Sequence, residues 1–98
     1  MREYNTVIQL NIRIKDIREY HFFTRAECPV TLALMRAGYD NLTDMGMGMV
    51  DNITREYYRP REIKGYVRLQ KTLTDTYKKL DMRDVVEYPI KATLKMNI

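Results

Sequence analysis

Thr6-Val7-Ile8-Gln9-Leu10-Asn11-Ile12-Arg13-Ile14 alternates without a break: Ile8, Leu10, Ile12 and Ile14 fall on one side, Gln9, Asn11 and Arg13 on the other. Successive side chains of a strand point to opposite faces, so the stretch reads as a strand with one face buried and one in water. The far end of the chain repeats the pattern. There Tyr88, Ile90, Ala92, Leu94, Met96 and Ile98 alternate with Pro89, Lys91, Thr93, Lys95 and Asn97. Pro89 cannot donate to a ladder, so it marks the start of this second strand or a sheet edge.

The apolar run Val30-Thr31-Leu32-Ala33-Leu34-Met35-Arg36-Ala37 follows Cys28-Pro29 and stops at Gly38. Proline has a fixed φ and no amide hydrogen, which suits the first helical position and makes Cys28 the N-cap. Thr24 and Glu27 resemble a capping box for an earlier start, but that start would put Pro29 inside the helix. Upstream, Asp16-Ile17-Arg18-Glu19-Tyr20 reads as one helical turn.

Downstream, Met45-Gly46-Met47-Gly48-Met49-Val50 has period two, with three methionines on one face and two glycines on the other. Asp51-Asn52 can turn the chain, and Ile53–Tyr58 supplies strand formers, so residues 45–58 read as a hairpin. The longest helix is expected from Pro60 to about Leu80, with Ile63, Tyr66, Val67, Leu73, Tyr77 and Leu80 near one face. Lys78 and Lys79 then complement the negative end of its dipole. Gly65 weakens its first turn by roughly 1 kcal/mol relative to alanine. The order strand, short helix, hairpin, long helix, strand predicts an α+β fold: a small single sheet with two helices packed on one face. At 98 residues the chain makes one domain, 1–98.

With 45 % of residues apolar and 31 % charged, the chain lies in the globular range. One cysteine excludes an internal disulfide, and Met1-Arg2-Glu3-Tyr4-Asn5 lacks a leader's apolar core, which points to the cytoplasm. No run approaches the roughly 20 apolar residues of a membrane helix. With a single histidine and no CxxC pair, neither a metal nor a cofactor is expected.

Three constellations carry functional readings. Between Arg61 and Lys79 six cations stand against Glu62 and Asp75, a net +4 that equals the net charge of the whole chain. Lys64, Arg68, Lys71, Lys78 and Lys79 form a row suited to tracking phosphates, and the plainer reading is a solvated helix face. Tyr57, Tyr58 and Tyr66, beside Arg55 and Arg59, offer stacking and cation–π contacts, although strand alternation sends one of the adjacent pair into the core. Met45, Met47 and Met49 would be left bare if helices covered only the glycine face, and a second copy of the chain is their natural cover. Catalysis is the weakest class. Cys28 with His21 and Glu27 or Asp44 has no recognisable spacing, and Gly46 and Gly48 make no phosphate cradle.

At Cys28-Pro29-Val30-Thr31-Leu32-Ala33-Leu34 the chain resembles a group of short uncharacterised phage and prophage proteins built around a Cys-Pro-(Ile/Val)-Ala-Leu-Ala-Leu helix. Thr31 replaces the usual alanine, and the second helix is longer and more basic than theirs. The resemblance implies a phage-encoded accessory protein with no assigned activity, acting in the cytoplasm of the host cell. The expectation is therefore a non-enzymatic protein that binds protein, itself first (a homodimer or higher) and then a host factor, through Met45, Met47, Met49, Tyr57, Tyr58 and Tyr66. The alternative is nucleic-acid binding through the helix 60–80.

Overall fold

The two alternating stretches find each other. In a computed structural model that describes residues 3–22, 28–83, 86 and 89–98, the elements in chain order are β1 (Thr6–Ile12), α1 (Ile14–Phe22), α2 (Pro29–Arg36), β2 (Leu42–Asp44), β3 (Met49–Asp51), β4 (Tyr57–Tyr58), α3 (Tyr66–Asp81) and β5 (Ile90–Met96). A short 3-10 turn, Pro60–Glu62, precedes α3. β1 and β5 pair antiparallel in unbroken register from Thr6 opposite Met96 to Ile12 opposite Ile90. Ile8, Leu10, Ile12, Leu94 and Met96 all face the core, as alternation requires. Beyond β5, Ile98 is exposed, and the expected Tyr88 position lies outside the described residues.

The fold is α+β, with three helices and two small antiparallel sheets among the described residues. One sheet was expected; the structure has a two-stranded β1–β5 sheet and a separate three-stranded β2–β3–β4 sheet. The two join through one core, in which Leu42, Met49 and Tyr58 pack with Ile8, Ile17, Leu34, Leu69 and Leu94. α2 lies against both β1 and β2, and α1 bridges α2 and α3.

Helix α2 starts and stops as its sequence dictates. Cys28 is the N-cap and Pro29 follows it. At the other end Gly38 takes a φ of 94°, its amide bonds to the Met35 carbonyl, and the Tyr39 amide bonds to that of Leu34. This paired closure is the Schellman motif, which needs a left-handed residue and so favours glycine. The expected turn at Asp16–Tyr20 is longer than foreseen. α1 takes in Ile14, which the strand pattern claimed, and buries Ile17 fully.

The hairpin region differs most. Met45–Gly48 is a turn between β2 and β3, because Gly46 and Gly48 hold φ values of 81° and 137° that no strand contains. The expected turn at Asp51-Asn52 also shifts: Asp51 ends β3, and its carboxylate accepts hydrogen bonds from the amides of Ile53 and Thr54. Those bonds, with one from Asn41 Nδ2, hold the Asp51 carboxyl below its ordinary pKa. Ile53–Thr54 therefore belongs to the turn, and Ile53 is exposed.

The long helix also begins later than Pro60. After the 3-10 turn the chain extends at Ile63 and Lys64, and Gly65, with φ 93°, reverses it into α3. Tyr66, Leu69, Leu73, Thr76 and Leu80 form the buried stripe, whereas Val67 is exposed and Ile63 is buried ahead of the helix.

Candidate functional site

Two clusters of chemistry-bearing side chains emerge, one inside and one on the surface. The inner one centres on Asp44, the last residue of β2, a carboxylate only 8 % exposed. Its Oδ1 accepts a 2.5 Å hydrogen bond from the Tyr66 hydroxyl and a 3.1 Å bond from the Gly46 amide. Oδ2 accepts from Gln70 Nε2 at 3.1 Å and from the Cys28 thiol at 3.4 Å. Thr31 Oγ1 accepts the Asp44 amide at 3.0 Å, and the Gly48 amide donates to the Tyr66 hydroxyl at 2.9 Å. One carboxylate thus pins α2, α3 and the Met45–Gly48 turn together. Buried polar groups satisfied this fully specify a packing arrangement.

The same cluster surrounds the Cys28 thiol. An N-cap thiol facing the positive end of a helix is a candidate nucleophile. Here burial pushes its pKa up, and the adjoining Asp44 carboxylate pushes it further, against smaller opposing effects from the amides of Thr31 and Val30. The thiol is held protonated at neutral pH. Glu27 and the side chain of His21 lie outside the described residues. Tyr66 also keeps its proton: burial, then the bond to Asp44, raises its pKa far beyond the ordinary phenol value.

The residues expected to meet a protein partner divide. Met49, Tyr58 and Tyr66 are core residues, at 0, 6 and 1 % exposed. Met45, Met47 and Tyr57 are exposed, and the Tyr57 hydroxyl donates to the Met47 carbonyl, holding the turn. The three methionines share no face, because the turn at Gly46 and Gly48 breaks the alternation that would have aligned them.

The outer cluster is basic. Lys64 and Lys95 face each other across an antiparallel bridge and exchange both main-chain hydrogen bonds, Lys64 amide to Lys95 carbonyl at 2.8 Å and the reverse at 3.1 Å. Residues directly opposite in such a pair hold their Cβ atoms within about 5.5 Å, and like charges there are destabilising. Arg68, in the first turn of α3, joins them. Together with Ile63, Gly65, Val67 and Thr93 these three cations line a hollow of about 450 Å³. A second hollow of about 300 Å³ adjoins it through Gly65, Arg68 and Thr93 and adds Lys91. Among the described residues no acid lines either. Gly65 makes the geometry possible, since a Cβ there would lie 2.5 Å from the Thr93 carbonyl oxygen.

Of the row foreseen on the long helix, Lys64 and Arg68 come together, while Lys71, Lys78 and Lys79 are exposed farther along α3 and line neither hollow. Lys91 and Lys95 were visible as the polar face of a strand, but not as partners of Lys64. Among the described residues no group of three or more His, Cys, Asp or Glu converges as a metal site, and no helix is long and apolar enough to cross a membrane. Comparison with protein-family models, with curated proteins and with solved structures finds no match.

Proposed function

We propose that the protein is a non-catalytic binding module that holds the phosphate backbone of a nucleic acid in the hollow between α3 and β5. The observation that carries this reading is the placement of Lys64 directly opposite Lys95, with Arg68 beside them and no acid on the lining among the described residues. Two opposed lysines cost stability in the free protein, and an anion between them removes that cost. Lys91 extends the positive track across the second hollow. The phage-accessory setting implied by the Cys28–Leu34 resemblance is compatible with such a ligand.

The test is salt-dependent binding of fluorescein-labelled DNA, duplex and single-stranded, followed by anisotropy. Neutralising about four phosphates on a duplex gives a slope of log K against log salt near −3.6, so affinity falls about 150-fold between 50 and 200 mM salt. Lys64→Gln with Lys95→Gln should halve that slope. No binding at about 20 mM salt, or equal binding by the double variant, defeats the reading.

A further inference from the structure

The β1–β5 sheet has a second edge, on β1, across the sheet from Lys64 and the basic hollow. Because Lys95 exchanges both main-chain bonds with Lys64, its amide and carbonyl point away from β1. Hydrogen-bonding direction alternates along a strand, so Thr93 and Lys91 point the same way. Their register partners Gln9 and Asn11, and Val7 opposite Lys95, must then turn their own amides and carbonyls outward from the opposite edge. Arg36 closes one end of that edge. Its Nη2 donates to the Asn11 carbonyl at 3.0 Å while forming an ion pair with Asp16 at 2.8 Å. The described residues supply no partner for the outward groups of Val7 and Gln9.

Exposed edges invite pairing, and proteins blunt them with charge, proline, bulges or a covering segment. β5 is blunted in two ways: it carries Lys91 and Lys95, and Lys64-Gly65 lies against its outer side. Apart from Arg36 at its Asn11 end, β1 has none of these devices among the described residues. Thr-Val-Ile-Gln-Leu-Asn-Ile contains no charge, proline or glycine, and its register with β5 shows no bulge.

We propose that β1 pairs antiparallel with β1 of a second copy of this chain, centred on Gln9, to build a four-stranded sheet. Self-pairing about Gln9 sets Gln9 against its counterpart and Val7 against Asn11 of the other copy on both sides. The outward groups of Val7 and Gln9 and the Asn11 amide then each have a complementary one, and the Asn11 carbonyl, already held by Arg36, accepts a second bond to complete about six main-chain bonds in all. Charge selects the occupant. In a chain of net charge +4, β1 is the uncharged strand of its sheet, and pairing through it leaves both basic β5 edges at the far ends of the joined sheet. An acidic partner is drawn to β5 instead.

The test is light scattering on the intact chain between about 5 and 500 µM. A mass rising to twice 11.8 kDa is expected for the unaltered protein. Gln9→Lys, at an exposed position, sets two ammonium groups opposite each other at the centre and should hold the mass at 11.8 kDa with an unchanged thermal melt. Thr93→Lys on the other edge should leave association intact. Amide exchange supplies the site-specific readout. Val7 and Gln9 should be protected only in the associated protein, whereas Ile8 and Leu10, bonded to β5, should be protected in both. A monomer at the highest concentration, or a dimer indifferent to Gln9→Lys, overturns the proposal.

Discussion

Tyr66→Phe tests whether the Asp44 cluster organises the fold. Phenylalanine keeps the ring that fills the core, so the change removes one oxygen atom and leaves packing almost untouched. Two things are lost. The first is the 2.5 Å hydrogen bond to a carboxylate, of a kind worth about 1.5–3 kcal/mol. The second is the acceptor of the buried Gly48 amide, and an unsatisfied buried donor costs about 1–3 kcal/mol. Asp44 keeps its bonds from Gly46, Gln70 and Cys28, which absorb part of the damage. The expected net loss is about 2–4 kcal/mol, and at about 4–8 °C per kcal/mol for a domain of this size Tm should fall by roughly 10–30 °C. Circular dichroism melts and urea titration measure it. In a cycle with Asp44→Asn, the two changes should be coupled by about 1–3 kcal/mol. A Tm drop below about 3 °C, or additive single effects, would refute the claim that Tyr66 and Asp44 act as a unit.

Gly65→Ala should destabilise by about 2–4 kcal/mol in urea, since φ 93° disfavours alanine and its Cβ would meet the Thr93 carbonyl, which is backbone and cannot swing away; a loss under about 0.5 kcal/mol contradicts the close approach of α3 to β5. Cys28 should react with iodoacetamide more slowly than a free thiol at neutral pH. Its pKa is raised, so the thiolate appears, and labelling accelerates, only at a pH above the ordinary thiol range. Asp44→Asn removes one of the two causes and should speed labelling at a fixed pH. Labelling at neutral pH as fast as a cysteine peptide rules out the protonated, buried thiol.

What the sequence revealed depended on whether a segment's own periodicity was also its structure. β1 and β5 are strict two-residue alternations, and the Cys28-Pro29 start and Gly38 stop of α2 are local stereochemistry, so both were legible. Met45–Val50 was misread because methionine and glycine alternate as a strand does, while the glycine φ values that make it a turn leave no trace in hydrophobic pattern. The late start of α3 has a similar origin: Gly65 reads as a poor helix residue, and only its contact with Thr93 shows it to be the hinge into the helix. Asp44 entered the sequence reading only as one of two acids set beside Cys28, a pairing the structure does show, while its bonds to positions 46, 66 and 70 leave no mark in the sequence. The basic hollow was half legible. Lys64 and Arg68 are neighbours in sequence, but a bridge from Lys64 to Lys95 is a long-range pairing that no local period encodes.

Pairing the first strand with the last also sets a schedule for assembly. The partners lie roughly 80–90 residues apart, and closing such a loop costs about 4 kcal/mol of chain entropy before any contact is made. Contacts this distant slow folding. At translation rates of about 5–20 residues per second, β1 waits roughly 4–18 seconds for β5 to be synthesised. Throughout that interval Ile8, Leu10 and Ile12 lack the strand that completes their sheet, and both edges of β1 are open. The nascent chain is therefore most vulnerable to mispairing just before its final strand appears, and a ribosome pause ahead of Ile90 should lower the yield of folded protein more than an equal pause ahead of β1.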